Sequence, residues 1–169
     1  VELKYDRKYF SDFNNKVVFD VEFDKASIAS NDLNFFYNEF GKNNIFYVDT
    51  HLVGTLNNFT THNLKLTDKN QSEIIGTANF QNLFGKGNQE FYMKGSFDRI
   101  TSDYEALKII MPRVLGKNLP SVLAKLGRVD LNGDVELTQK YINANVYLLS
   151  KLGIVDGDLA IQNIDNIDN

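Results

Sequence analysis

Between residues 128 and 137 apolar and polar side chains alternate one for one. Val129, Leu131, Val135 and Leu137, with Gly133 among them, fall on one side of the run, and Arg128, Asp130, Asn132, Asp134 and Glu136 fall on the other. A period of two predicts a strand with one buried face. The pattern recurs. Val17, Phe19, Val21 and Phe23 alternate with Lys16, Asp20 and Glu22, interrupted only at Val18. Phe46, Val48 and Leu52 lead through Thr50 to Gly54 and Leu56, and Phe91, Met93, Gly95 and Phe97 alternate with Glu90, Lys94, Ser96 and Asp98. Weaker runs cover 64–68, 74–80, 142–148 and 155–161. Eight or nine strands are predicted, apolar on one face and polar on the other, as in a sheet solvated on one side.

Three short helical segments interrupt the alternation. Asn31-Asp32-Leu33 opens one that runs through Phe36 and Phe40 to Gly41. Ser102-Asp103-Tyr104-Glu105 has the spacing of a capping box, in which Ser and Glu satisfy each other's backbone donors. Tyr104, Leu107 and Met111 then share a face, and Pro112 stops the helix. Pro120 opens a third turn through Val122, Leu123 and Leu126, and Gly127 is placed to end it.

These features repeat loosely. Phe23-Asp24-Lys25 is answered by Phe97-Asp98-Arg99, Gly54-Thr55-Leu56 by Gly133-Asp134-Val135, and Ala78-Asn79-Phe80-Gln81-Asn82-Leu83 by Leu159-Ala160-Ile161-Gln162-Asn163-Ile164, at offsets of 74, 79 and 81 residues. Residues 1–169 are read as one segment holding two degenerate tandem repeats, about 16–90 and 91–164.

Composition agrees with strands. Hydrophobic residues make up 43% and aromatics 12%, with 13 Phe, 8 Tyr and only 2 Pro, which suits hydrogen-bonded ladders and supports a sizeable core. The net charge of −4 and the scatter of the basic residues argue against nucleic acid. With no cysteine, disulfides, thiolate metal sites and cysteine nucleophiles are excluded. No run approaches the roughly 18 apolar residues needed to span a bilayer. The chain opens at Val1 without an initiator Met and closes in the polar run 163–169, which reads as a piece of a longer protein.

Candidate chemistry is sparse. His51 and His62 have no third ligand at a convincing spacing and read as surface histidines. Asp165 and Asp168 lack the Gly turn and terminal Glu of a calcium loop. Gly85-Lys86-Gly87 lacks the phosphate-loop spacing and reads as a hairpin turn. Asp130, Asp134 and Glu136 share their strand face with Arg128 and Asn132, as a solvated face does, and nothing in the sequence forces their pKa values apart. We expect no catalytic residues, no metal and no cofactor. What remains is a surplus of large apolar side chains on strand faces, which fits either the dry core of a closed sandwich or the lining of an open groove.

The residues Asp32-Leu33-Asn34-Phe35-Phe36, Gly54-Thr55-Leu56-Asn57-Asn58-Phe59 and Asn63-Leu64-Lys65-Leu66 resemble the periplasmic repeats of the TamB (translocation and assembly module subunit) and AsmA-like family. In the second unit the likeness is carried by Lys94-Gly95-Ser96-Phe97, residues 104–112, Leu119-Pro120, Leu126-Gly127 and Leu131-Asn132-Gly133. The resemblance implies an elongated, curved open sheet (a β-taco groove) of tandem repeats with short helices at its edges. It implies a non-enzymatic role in the periplasm, with the full-length protein anchored in the inner membrane. It implies phospholipid acyl chains as cargo moved toward the outer membrane, and outer-membrane protein assembly with an Omp85-type barrel met through other parts of the protein. The expected groove lining is Phe19, Val21, Phe23, Phe91, Met93, Phe97, Val129, Leu131, Val135 and Leu137. A closed β-sandwich stalk or adhesion module is the competing arrangement.

Overall fold

A computed structural model of the chain describes residues 2–4, 6–36, 41–83, 90–110 and 119–162. The eight alternating runs form strands, and a short ninth precedes them. In order these are β1 (Glu2–Lys4), β2 (Val18–Ala29), β3 (Ile45–Thr55), β4 (Phe59–Asp68), β5 (Glu73–Gln81), β6 (Tyr92–Asp103), β7 (Arg128–Thr138), β8 (Tyr141–Ser150) and β9 (Gly153–Gln162). Every pairing is antiparallel. The strands lie in one sheet in the order of the sequence, β1 to β9.

The protein is mainly β, an open sheet that does not close on itself. The closed two-layer sandwich, which the faces alone also allowed, is not formed among the described residues: all nine strands belong to a single layer. The chain exposes 10105 Å², against roughly 8,500 Å² for a compact monomer of its mass.

Three long strands change the side they present partway along. The register of β2 shifts between Phe23 and Ala26, that of β4 between Thr61 and Leu64, and that of β6 between Phe97 and Ile100. Each shift adds residues that bend the strand and increase its twist. Lys25 and Asn63 hold left-handed backbone there, with φ of 49° and 52°. The bulges explain why the alternation stops at Phe23 in β2 and at Phe97 in β6, and why in β4 it starts only at Leu64. A parity that begins Phe19, Val21, Phe23 continues as Ala26, Ile28.

The helical pieces connect strand ends. A 3-10 turn (Arg7–Asp12) and helix α1 (Phe13–Lys16) lead into β2. Helix α2 (Ser30–Phe36) follows β2, and helix α3 (Tyr104–Ile110) with a second 3-10 turn (Ser121–Leu126) follows β6. Each half of the sheet therefore reads as a bulged twelve-residue strand, a helical connection and three further strands. The glycine equivalence drawn from sequence does not survive in register, because Phe23 faces Thr50 whereas its counterpart Phe97 faces Gly133.

The cap of α3 also differs from expectation. Asp103, not Ser102, is its N-cap, its carboxylate accepting from the Ala106 amide at 2.8 Å. Ser102 is fully buried and shares a 2.9 Å hydrogen bond with buried Ser72. The face of α3 that packs inward is Ala106 and Ile110 rather than Tyr104 and Leu107. The turn after Pro120 ends at Gly127, with φ of 70°, as expected. Phe40, Gly85-Lys86-Gly87, Met111, Pro112 and the polar run from Asn163 lie outside the described residues.

Candidate functional site

Cross-strand pairing sorts the apolar face into four rows that run across the sheet from β2 to β9. Phe19, Gly54, Phe59, Phe80, Met93, Leu137, Ile142 and Ile161 stand opposite one another in the first row. The second row is Val21, Leu52, Thr61, Ala78, Gly95, Val135, Ala144 and Leu159. The third pairs Phe23 with Thr50 and, past the β4 bulge, runs Leu64, Gly76, Phe97, Gly133, Val146 and Gly157. The fourth is Ala26, Val48, Leu66, Ile74, Ile100, Leu131, Leu148 and Val155, apolar throughout.

The rows differ in bulk. The outer two carry large side chains almost without break. The inner two mix in Gly, Ala and Thr, which lowers the surface between them. Together the rows form one apolar trough, bulky in its outer rows and alternately large and small in its inner ones, and Val21, Ala78, Phe97 and Val146 within it are buried, at 7%, 1%, 7% and 3% exposure. Phe97 lies along its floor. Its ring occupies the space over Gly95, 2.4 Å from where a side chain on Gly95 would begin, so any larger residue there has to push the ring aside. From β2 to β9 the floor extends about 34 Å, seven strand spacings of about 4.8 Å.

One end of the strands is plugged. Leu83, Phe91 and Leu137 are buried together, with Phe59, Phe80, Met93 and Ile142 packed against them. Asparagines close the loops above this cluster. The Asn57 amide donates to the Asn14 carbonyl, its carbonyl accepts from the Leu83 amide, and its side chain donates to that of Asn15. A second cluster of Ala144, Val146 and Leu148 sits in the body of the trough, with Leu131 and Val135 only partly buried against it.

The ten expected lining residues are thus divided. Phe19, Val21, Phe23, Met93, Phe97, Leu131, Val135 and Leu137 stand in the four rows, and Val129 lies just beyond the fourth, opposite Ser102. Phe91 precedes β6 and, with Leu137, is sealed in the plug. Positions on β3, β4 and β5 that belong to the rows were passed over, among them Val48, Leu52, Leu64, Leu66 and Ile74. A polar pair at each change of parity (Asp24-Lys25, His62-Asn63, Asp98-Arg99) is the signal that would have kept those strands in phase.

The opposite face is polar and cross-linked by charge. Lys94 reaches Glu136 at 3.2 Å, Arg99 reaches Glu73 at 3.4 Å, and Asn145 donates to Asp158 at 2.7 Å. A hydrogen bond to Glu136 and its negative charge hold the Lys94 ammonium above the usual lysine range. Burial, then the charge of Glu136, pushes the Tyr92 phenol up. His51 and His62 stand opposite each other, ring centroids 5.8 Å apart, with the Asp20 carboxylate 2.7 Å from His51 Nε2. Among the described residues no three His, Asp or Glu side chains are placed to hold a metal ion. Asp130 accepts from the Thr101 hydroxyl and Asp134 is exposed, as on a solvated face. A hollow of about 300 Å³ opens beside the bulges, lined by Asn63, Lys65, Thr77 and Asp98 together with Leu64 and Gly76 of the third row.

No helix among the described residues is long and apolar enough to cross a membrane, which says nothing of strands. The chain matches no protein-family model, no curated protein and no solved structure.

Proposed function

We propose that the chain is a non-enzymatic, lipid-shielding or lipid-conducting segment of a TamB-like protein that crosses the periplasm. In this reading phospholipid acyl chains lie in the trough on their way to the outer membrane. The full-length protein is held in the inner membrane and supports outer-membrane protein assembly with an Omp85-type barrel through other parts. The observation that carries the reading is the single-layer sheet whose apolar face meets no second sheet among the described residues, with a floor lowered by Gly76, Gly95, Gly133 and Gly157.

The energetics favour such a role. Each buried CH₂ is worth about 0.8 kcal/mol, so an acyl chain of about 15 methylenes costs on the order of 12 kcal/mol to expose to water. A trough of about 34 Å is as long as the roughly 30 Å hydrocarbon core of a bilayer, so apolar contact is continuous along the path of an acyl chain.

The test is site-specific photocrosslinking in cells. A photoreactive residue at Leu131, on the trough side, is expected to capture phospholipid, whereas one at neighbouring Asp130, on the polar side, is not. Capture at Asp130 with none at Leu131 would overturn the assignment. Native mass spectrometry of the purified chain gives a second reading, with co-purified phospholipid expected; a lipid-free monodisperse protein favours a structural stalk.

A further inference from the structure

The two ends of the strands differ in charge. The end beyond the fourth row holds four strand connections, and each carries an exposed cation: Lys42 between β2 and β3, Lys69 between β4 and β5, Lys125 between β6 and β7, and Lys151 between β8 and β9. Arg128, the first residue of β7, adds another. Among the described residues none of these is paired with a carboxylate. At the plugged end, by contrast, Lys16 is paired with Asp12 and Lys140 with Glu90. Carboxylates near the cationic rim are engaged with other groups. Asp68 accepts from the amides of Asn70 and Ser72, Glu73 is held by Arg99, and Glu105 by Lys108. Asp103 caps α3 and Asp130 accepts from Thr101, while Asp32 stays exposed on α2, toward the β2 margin.

The cations gather most densely from β6 to β9. From Ala106 to Val129 the chain carries Lys108, Arg113, Lys117, Lys125 and Arg128 and no Asp or Glu, within a protein of net charge −4. The fold brings Lys151 to the end of this stretch. Its amide donates to the Leu126 carbonyl at 3.2 Å, and its stem lies over Gly127, 3.0 Å from where a side chain there would begin. Lys125 and Arg128 flank that contact in sequence. The Arg128 guanidinium donates to the Gln71 carbonyl, past the end of β6 and next to the turn that holds Lys69. Arg128 and Lys151 each stand three residues from the fourth row, at the cross-strand pair Leu131 and Leu148, about 10 Å along their strands.

Unpaired cations a short distance past an apolar surface suit a molecule that is anionic at one end and apolar along the rest. We propose that Lys125, Arg128 and Lys151 form a phosphate-binding site on this rim of the trough, and that the phosphate it takes is the headgroup of a phospholipid whose chains lie against the fourth row. The assignment rests on the lipid reading of the trough and adds where the polar end of the lipid sits and what charge it carries. Arginine offers phosphate oxygens a planar fork of donors, and lysine a mobile point charge. Connections at this end recur every second strand, about 10 Å apart. Lys69 and Lys42 therefore continue the positive rim along the trough toward β2, so a headgroup leaving one cation meets the next.

The test is calorimetric titration of the 169-residue chain with three probes: dihexanoyl phosphatidylglycerol, dihexanoylglycerol, which has the same chains without phosphate, and inorganic phosphate. At low salt the phospholipid is expected to bind about tenfold more tightly than the diacylglycerol, the effect of a few lysines near an anionic headgroup. Inorganic phosphate is expected to compete with the phospholipid. The double variant Lys125→Gln/Lys151→Gln should lose the tenfold preference and keep the diacylglycerol affinity. With the unaltered protein, salt of about 0.5 M should erase the same preference by screening, which keeps the test decisive if the variant misfolds. Equal binding of the two lipids at low salt overturns the headgroup site and leaves the trough reading standing. Binding of phosphate with neither lipid overturns both, and assigns the cluster to free phosphate.

Discussion

The plugged end of the strands and the body of the trough are built on the same apolar face, yet they are different materials. At the plug, Phe91 and Leu137 are 4% and 5% exposed, pressed together by the loops that Asn57 ties down. A few residues along β7, Leu131 and Val135 are half-buried, packed on the buried Ala144, Val146 and Leu148 of the neighbouring strand. Alternation in the sequence is identical at both places. What differs is how far each side chain is covered, fully at Phe91 and Leu137 and partly at Leu131 and Val135, while Phe97 and Val146 in the trough are covered as fully as the plug.

The strongest way to probe this contrast is at the plug. Phe91→Ala is expected to cost about 3–5 kcal/mol of unfolding free energy in urea titration, the usual range for removing a buried aromatic. Gly133→Val comes next, at about 2–3 kcal/mol, because it forces a β-branched residue to a φ of 128° and drives its Cβ against the Asn145 carbonyl oxygen and the Val146 Cα. Leu131→Ala should cost less, about 1–2 kcal/mol in the same titration, since its side chain is only partly buried. If Leu131→Ala proves as costly as Phe91→Ala, the trough is as closed as the plug, and the distinction between the two regions falls.

The smallest effect lies on the polar face. Lys94 has its pKa raised by Glu136, so its contribution to stability is complete below the ordinary lysine value of 10.5 and is lost as pH rises through the higher folded value. Thermal melts of Lys94→Met and the parent should differ slightly near neutral pH and converge at strongly alkaline pH. A difference that persists there would assign the effect to packing of the lysine stem.

Much of this was legible from the order of residues. A period of two identified strands β2 to β9 and the correct apolar side of β7, because a one-residue slip would have turned every side chain to water. Legibility failed where an extra residue resets the phase. β4 passes from Phe59 and Thr61 to Leu64 and Leu66, so its row members were recognised as a weak run and not as lining. The capping box failed for a related reason. Ser102 has the right spacing to Glu105, but its position on the inner face of β6 commits it to Ser72, and Asp103 takes the cap. Burial of Phe91 was not legible at all, because it depends on loops that return from far along the chain. Openness of the sheet is likewise a property of what does not fold over it, and alternation is blind to that.

The simple strand order has a kinetic consequence. Since each strand lies beside the one before it in sequence, no pairing waits for a distant partner, and the loop-closure entropy that slows most β proteins is small at every step. The sheet can grow hairpin by hairpin as the polypeptide is extruded, each new strand templated by the last, with slow amide exchange concentrated in the interior strands and fast exchange at the two margins.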